Sequence, residues 1–193
     1  KNDLVENLSN NLSSSLIYRQ RFVLNLLNKI ENKNVTILEL GCGSGLIVNK
    51  IFDLGFKNYI GVDISENAIN RAKEINKNFE HKAKFYASNT NFVAEEKVNI
   101  VFSLGLFDWL ENNEISNVFR LYLDSMHLHS ISEKKTSIYQ FLHKVYVHIS
   151  YGYKSEGYKP KYHTLENIRK LYTSNFSNEI KIFNHKNLKF GAF

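Results

Sequence analysis

Apolar positions along the chain follow two alternating patterns. Between short apolar runs, apolar residues recur every three or four positions, which predicts amphipathic helices over residues 47–52, 68–75, 115–123 and 165–172. The runs themselves predict buried strands over residues 35–40, 58–63, 84–87, 98–104 and 126–131. Residues 179–183 and 188–193 are predicted to form a closing antiparallel pair. Strands that alternate with helices favour an α/β fold, with helices on both faces of a mostly parallel, doubly wound sheet.

Two segments lie outside this alternation. Residues 1–32 carry apolar residues at helical spacing in 3–12 and again in 16–31, so we expect helices that cover the sheet. Residues 133–163 form an insertion after the fifth predicted strand, in which a helical pattern is followed by a stretch rich in tyrosine and lysine. No repeat or second domain is visible, and residues 1–193 are predicted to form a single domain.

A glycine-rich turn follows the first predicted strand. Gly41, Gly43 and Gly45 stand at alternate positions directly before a helical pattern. Glycine adopts backbone angles that other residues avoid and lets a ligand approach the main chain, so this turn is a candidate ligand cradle. Its G-x-G-x-G spacing differs from the G-x-G-x-x-G pattern of nicotinamide dehydrogenases. A glycine turn without a ligand is the alternative that this stretch leaves open.

A carboxylate at the end of the second predicted strand adds to the evidence for a ligand. Asp63 follows Gly41 by 22 residues, and a carboxylate at such a strand end can accept both hydroxyls of an adenosine ribose. Ser65 can cap the helix that follows. Alone, Asp63 would suit a turn or a cap, but together with the glycine turn it predicts a ribose ligand.

The segment LELGCGSG, residues 38–45, resembles the first motif of the class I S-adenosylmethionine-dependent methyltransferases. In that motif, an acidic residue and one apolar residue precede G-x-G-x-G. The resemblance implies a three-layer Rossmann-like sheet of about seven strands, the last antiparallel. It also implies S-adenosyl-L-methionine as cofactor and S-adenosyl-L-homocysteine as product.

The resemblance assigns cofactor roles to positions along the first half of the chain. The segment YRQRF is similar to small-molecule members of the family, in which an arginine 20 residues before the first glycine contacts the methionine carboxylate, and that arginine is Arg21 here. The family often has an aspartate after the third strand, whereas this chain has Ser88 and Asn89; an asparagine carbonyl can accept the same adenine hydrogen bond. The cofactor residues implied are Arg21, Glu39, Gly41, Cys42, Gly43, Gly45, Asp63, Ile64, Ser88, Asn89, Leu104 and Leu106.

Candidate residues for the acceptor side stand in two places, directly after the fourth predicted strand and at the end of the insertion. Asp108 and Trp109 stand where members of the resembling family present side chains to the acceptor. Asp108 is therefore predicted to be a base or to orient the substrate, with a loop carboxylate as the alternative. Tyr18 is a second catalytic candidate. Because the family varies at the insertion to build its acceptor pocket, residues 133–163 are expected to form a substrate lid that presents Tyr162 and His163.

No metal site is predicted. His127 and His129 would face the same side of the fifth strand, but no third ligand is evident nearby, which favours core or surface histidines. Cys42 is the only cysteine, which excludes an internal disulfide and a cysteine-cluster metal site. Its place inside the glycine turn indicates a small filling residue rather than a nucleophile.

Charge is distributed unevenly along the chain. Residues 126–193 hold 11 Lys and Arg against 4 Asp and Glu, a net charge of +7, whereas residues 1–125 are nearly neutral. A basic, aromatic region can meet an anionic small molecule, a nucleic acid or a membrane surface, or it can be a solvated surface. The basic residues of this region are mostly scattered lysines, and no group of arginines stands together in the sequence. A nucleic-acid partner is therefore the weaker hypothesis.

These observations together predict methyl transfer to a small anionic acceptor, such as a phosphorylated or nucleotide-linked sugar-type metabolite, at an oxygen atom. The alternatives are an N-methyltransferase, an RNA methyltransferase, or a catalytically silent partner subunit that binds the cofactor. No apolar run is long enough to span a membrane, and no signal-peptide pattern opens the chain, so a cytoplasmic location is expected. The chain begins at Lys1 without a methionine, so residues that precede it are possible. Oligomeric state is not predicted.

Overall fold

Six strands form one sheet in the computed structural model, which describes residues 16–133, 141, 145, 160–178, 180–183 and 191–192. In spatial order the sheet is β3-β2-β1-β4-β5-β6, parallel except for the last pair. The predicted α/β fold is confirmed. The strands are β1 (Thr36–Leu40), β2 (Asn58–Asp63), β3 (Ala83–Ala87), β4 (Ile100–Leu104), β5 (Met126–Ser132) and β6 (Gly191–Ala192).

Helices cover both faces of the sheet and give it a core on each side. Apolar residues of α1, α2 and α3 pack in one buried cluster with Ile37 and Phe102 of the sheet. Those of α4 and α5 pack in a second cluster with Leu38 and Val101, which point to the opposite face. The helices are α1 (residues 16–28), α2 (Val48–Asp53), α3 (Glu66–Ile75), α4 (Asn112–Leu121) and α5 (Leu165–Thr173).

Side-chain caps fix where several helices begin. The Ser65 hydroxyl accepts a hydrogen bond from the Ala68 amide at 3.2 Å at the start of α3, as predicted. Thr164 caps α5 in the same way. Glu111 and Glu114 form a reciprocal capping box at the start of α4. With this box, α4 begins three residues after the 3₁₀ turn Leu106–Trp109 that follows β4.

The end of the chain differs from the prediction. The described residues contribute six strands rather than seven, and residues 180–183 are irregular rather than a strand paired with the chain end. Instead, β6 pairs with the end of β5. The reason lies in the packing: Ile180 and Ile182 join the cluster of α4 and α5, whereas the Phe183 ring lies 5.4 Å from the ring of Phe22 in α1. This segment therefore connects the two helical layers.

Several predictions concern segments outside the described residues. They are the helix over residues 3–12, residues 184–190 of the closing pair, and most of the insertion at 133–163. The single-domain organisation, the cover helices over 1–32 and the lid thus stay predictions. None of the helices in the described ranges has the length and apolar character needed to cross a membrane.

Candidate functional site

The glycine turn lies at the point where the strand order reverses. β1 is central, with β2 on one side and β4 on the other, and ligands of open α/β sheets bind beyond the strand ends at such a point. The amides of Gly41 and Cys42 both donate to the Val62 carbonyl, at 2.7 and 3.0 Å. The turn is thereby held against the end of β2, where Asp63 lies.

The three glycines of the turn all have positive φ, but the space beside each one differs. At Gly45 (φ 66°), a Cβ would lie 2.8 Å from Nδ2 of Asn76 and 3.1 Å from the Phe85 ring, so close packing excludes a side chain. At Gly41 (φ 72°), it would lie 3.3 Å from the Leu106 side chain. At Gly43 (φ 53°), nothing lies within 4 Å. Gly43 therefore leaves an open surface beside the carboxylate of Asp63, as a cradle for a ligand requires.

Alanine substitutions would separate these roles. Both Gly43→Ala and Gly45→Ala place a side chain in left-handed backbone, which costs about 1–2 kcal/mol. Gly45→Ala also overpacks its surroundings, which costs about 1–3 kcal/mol more. We therefore expect urea unfolding to show the larger loss for Gly45→Ala. Equal losses would contradict the assignment of Gly45 to packing.

Asp63 is fixed by backbone amides on both sides. Its Oδ2 accepts from the Gly43 amide and its Oδ1 from the Ser65 amide, each at 2.9 Å. A carboxylate oxygen has room for a second hydrogen bond. The two oxygens can thus accept ligand hydroxyls in an orientation that the protein sets in advance.

An open cleft with a volume of about 230 Å³ lies over these strand ends. Seven predicted site residues line it: Gly41, Asp63, Ile64, Ser88, Asn89, Leu106 and Trp109. Ile64 is 67% exposed, so an apolar side chain is available to cover an aromatic ring. The sequence interpretation missed Leu40, Val62, Thr90, Leu110 and Glu114, although the first two are strand-end positions that the strand prediction could have indicated.

Two predicted cofactor residues lie behind the turn rather than in the cleft lining. Glu39 is buried and accepts a hydrogen bond from the Tyr59 hydroxyl. Burial raises the pKa of Glu39 to about 8, opposed by that hydrogen bond and reinforced by the charge of Asp63. Cys42 packs so closely against Gly61 that a Cβ there would lie 2.9 Å from Sγ. Burial also raises the pKa of the Cys42 thiol, which keeps it protonated, as expected of a filling residue.

A second polar group of residues lies at the ends of β4 and β5. Arg19 of α1 is only 8% exposed, and its Nη2 donates to Ser132 Oγ at 3.0 Å. Its Nη1 donates to Ser130 Oγ at 3.4 Å and lies 3.9 Å from Asp108 Oδ2. Gly105 makes room for this arrangement, because a Cβ there would lie 2.7 Å from Arg19 Nη1. We call Arg19, Asp108, Ser130 and Ser132 the arginine cluster.

Asp108 is engaged inside this cluster. The amide and hydroxyl of Ser132 donate to its two oxygens at 2.6 and 2.7 Å. Burial raises the pKa of Asp108, while Arg19 and the two hydrogen bonds from Ser132 counteract the rise. A carboxylate held in this way is poorly placed to take a proton from an acceptor. Of the two roles predicted for Asp108, base or substrate orienter, the geometry therefore argues against the base.

The structure brings Arg19, not the predicted Arg21, to the strand ends. Arg19, Val23 and Leu27 are all buried, at the i, i+4, i+8 spacing of one helix face. Arg21 lies two residues further along, on the opposite side of α1, and is exposed. The helical spacing from Val23 and Leu27 was the signal that could have identified Arg19. Tyr18 is 37% exposed at the start of the same helix.

The chain returns from the insertion beside the 3₁₀ turn. The Lys161 amide donates to the Asp108 carbonyl at 2.7 Å, and Tyr162 follows with φ 45° and 4% exposure. His163 donates from Nε2 to the Leu110 carbonyl at 3.0 Å, and its Nδ1 lies 3.3 Å from Asn167 Nδ2. Both nitrogens of His163 thus have protein partners. Tyr162 and His163 are close to the arginine cluster, but both are buried.

His127 and His129 form a neutral hydrogen-bonded chain between β4 and α4. A carbonyl only accepts, so His127 Nε2 donates to Tyr122 O at 2.9 Å. His127 Nδ1 then accepts from His129 Nε2 at 3.1 Å, and His129 Nδ1 accepts from the Ser103 hydroxyl at 2.9 Å. Burial lowers the pKa of both histidines, consistent with neutral rings. Within the described part of the chain, no group of three or more His, Cys, Asp or Glu could hold a metal ion.

Comparison of the sequence with known proteins identifies a family. A sequence profile of the family described as "Methyltransferase domain" matches residues 31–148. The ribosomal protein L11 methyltransferase of Chromobacterium violaceum is 31% identical over 78 residues, 40% of this chain. The aligned region spans only 26% of that relative.

Solved structures show the same fold at low sequence identity. The magnesium protoporphyrin IX methyltransferase of Synechocystis PCC 6803, with bound S-adenosylhomocysteine, has a TM-score of 0.68 at 16% identity and covers 90% of this chain and 78% of that one. An S-adenosylmethionine-dependent methyltransferase from Mesorhizobium loti has a TM-score of 0.65 at 13% identity and covers 86% of this chain and 83% of that one.

Proposed function

The chain belongs to the family of class I S-adenosylmethionine-dependent methyltransferases, and from this premise we propose that it transfers a methyl group from S-adenosyl-L-methionine to a small anionic acceptor, at an oxygen atom. The observation that carries the proposal is the joint placement of the open glycine Gly43 and the amide-fixed carboxylate of Asp63 beside one cleft. Neither feature serves the packing of the fold alone.

The cleft residues fit the parts of this cofactor. Asp63 would accept the ribose hydroxyls, and Ile64 would cover the adenine. Ser88 and Asn89 lie next to them in the lining, where a carbonyl oxygen can accept from the adenine amino group. Gly41 and Leu106 would border the methionine part, whereas Leu104 packs against the core at the end of β4 and is not among the residues that line the cleft. When bound, the cofactor supplies a methyl group that its sulfonium already activates.

The protein's task is then to position the acceptor and to exclude water. Trp109 lies in the same cleft lining as Leu106, on the side towards β4 and β5, and would cover the acceptor. An oxygen acceptor must lose a proton during transfer. Asp108 and His163 hold internal hydrogen bonds, which disfavours both as the base. Tyr18 at the start of α1 stays the second catalytic candidate and is proposed to orient the acceptor hydroxyl.

The anionic nature of the acceptor is proposed from charge. The net charge of +7 in residues 126–193 includes the lysines of the insertion, and residues 160–163, which end it, return directly beside Asp108. We propose that the insertion covers the acceptor, with phosphorylated or nucleotide-linked sugar-type metabolites as the first candidates. Lysine side chains would attract such anions over a distance of about 10 Å at moderate salt.

Turnover assays test this function. The protein is incubated with S-adenosylmethionine and a panel of sugar phosphates, nucleotide sugars and neutral sugars, and release of S-adenosylhomocysteine is measured. We expect turnover on anionic acceptors, with a Michaelis constant that rises with salt. For Asp63→Ala, we expect turnover to be lower by up to about 100-fold when the cofactor is well below its dissociation constant. A salt-independent Michaelis constant, or turnover of neutral sugars alone, would contradict an anionic acceptor. Cofactor binding without turnover on any acceptor class would contradict an enzymatic role.

A further inference from the structure

Arg19 has unused hydrogen-bonding capacity in a buried place. A guanidinium has five N–H donors, and Arg19 makes one hydrogen bond from Nη1 and one from Nη2. Its Nε is a buried side-chain donor that finds no partner among the described residues. Leaving a buried charged group short of partners is costly, so this donor points to a group that binds there during function.

The arginine cluster and the cofactor cleft share a wall. In the 3₁₀ turn Leu106–Trp109, Leu106 and Trp109 line the cleft, whereas Asp108 between them contacts Arg19 and Ser132. The cofactor cleft lies over β1, β2 and β3, and the arginine cluster lies over β4 and β5. A molecule bound at the cluster would therefore lie beside the cofactor without occupying its site.

The cluster is held by strained and closely fitted backbone on two sides. Gly105 has φ 86° and no room for a side chain next to Arg19. Tyr162 has φ 45°, a backbone conformation that is unfavourable for a residue other than glycine and that is enriched at functional sites. The backbone amide of Lys161, the residue before Tyr162, donates to the carbonyl of Asp108. Elements far apart in sequence thus fix the surroundings of Arg19.

Charge indicates which anion fits. Arg19 and Asp108 have opposite charges and lie 3.9 Å apart, and the two serines are neutral, so the cluster has a formal net charge of zero when Asp108 is ionised. A dianionic phosphate would be repelled by Asp108 more strongly than a singly charged group. A carboxylate also matches the planar fork of a guanidinium.

We propose that Arg19 binds a carboxylate of the methyl acceptor through Nε and the second hydrogen of Nη2, which makes it the residue that selects the acceptor. This inference rests on the proposed methyl transfer and narrows the anionic acceptor to a molecule with a carboxylate near the methylated atom. Asp108 and Ser132 are positioning residues, because they hold the guanidinium and do not contact the acceptor.

The test uses benzoate as the carboxylate probe, with benzamide as its neutral analogue and inorganic phosphate as a dianion. Binding is followed by NMR titration of the full chain, with and without saturating S-adenosylhomocysteine. We expect wild type to bind benzoate in preference to phosphate and benzamide, and Arg19→Gln to weaken benzoate binding by at least about tenfold. The matched control is Arg120→Gln, which removes an exposed arginine of α4 and is expected to leave benzoate binding unchanged.

A second variant guards against misfolding. Arg19→Gln leaves Asp108 without its cation, whereas Arg19→Gln with Asp108→Asn removes both charges together. The double variant is expected to fold and still to lose benzoate. Unchanged benzoate binding in both variants, or no benzoate binding by wild type, would overturn the proposal.

Parallel titration of S-adenosylhomocysteine separates this inference from the proposed function. We expect Arg19→Gln to leave cofactor affinity within about threefold of wild type, a change of less than about 0.7 kcal/mol. Loss of both ligands together, with benzoate competing against S-adenosylhomocysteine, would assign Arg19 to the cofactor and overturn the acceptor role. Benzoate binding that depends on Arg19, in a protein that does not bind S-adenosylhomocysteine, would instead reject methyl transfer and keep the anion site.

Discussion

Replacing Asp108 with alanine is expected to lower the free energy of unfolding by about 3–5 kcal/mol, the usual cost of breaking a buried ion pair from one side. The variant leaves the buried guanidinium of Arg19 without its counter-charge. It also leaves the Ser132 amide, which donates to Asp108 at 2.6 Å, without its acceptor. Few single substitutions of a polar residue have so large an effect.

Urea unfolding monitored by circular dichroism measures this loss. Asp124→Ala is the matched control, since Asp124 is exposed, and it is expected to change stability by less than about 0.5 kcal/mol. Asp108→Asn, which keeps an acceptor for the Ser132 amide, is expected to fall between wild type and Asp108→Ala. If Asp108→Ala were as stable as wild type yet inactive, Asp108 would act directly on the acceptor, as the base or substrate orienter that the sequence predicted.

Replacing Glu39 with glutamine is expected to change how stability depends on pH. Burial raises the pKa of Glu39 from 4.5 to about 8. Between these values the folded state keeps a proton that the unfolded state has released, so wild-type stability falls as pH rises, by up to about 1.4 kcal/mol per pH unit. Glutamine has no such proton and can still accept from the Tyr59 hydroxyl. The variant is therefore expected to gain on wild type as pH rises, by about 4 kcal/mol at pH 8 as an upper bound.

The comparison requires unfolding free energies of both proteins from pH 5 to pH 8. Taking the difference between them cancels the contribution of other titrating groups, including His127 and His129. Glu80→Gln is the control, because Glu80 is exposed, and its curve is expected to run parallel to that of wild type. A parallel curve for Glu39→Gln as well would show that Glu39 titrates normally in the folded protein.

The cleft beside the glycine turn was predictable because its signals are local. An apolar run predicts β1, the glycines that follow it predict a turn, and Asp63 ends the next apolar run. The short connections of an α/β unit bring these strand ends together without any knowledge of distant contacts. Most of the residues that line the cleft could therefore be named in advance.

The arginine cluster was harder to predict because it depends on helix phase and on distant partners. Arg19 and Arg21 are residues of the same type in the same helix. Only Arg19 lies on the buried helix face that Val23 and Leu27 define. Asp108 looks like an available carboxylate until β5 brings Ser132, 24 residues later, to both of its oxygens. Likewise, residues 180–183 have the composition of a strand, but their side chains pack on two helical layers.

Calorimetric titration of S-adenosylhomocysteine into wild type and Asp63→Ala tests the central claim that this cleft binds the cofactor. We expect micromolar binding by wild type and a loss of about 100-fold in Asp63→Ala, since two charge-assisted hydrogen bonds contribute about 3 kcal/mol together. Asp124→Ala is expected to bind as wild type does. If wild type bound no S-adenosylhomocysteine, or if Asp63→Ala bound it equally well, the glycine turn and Asp63 would not form the cofactor site.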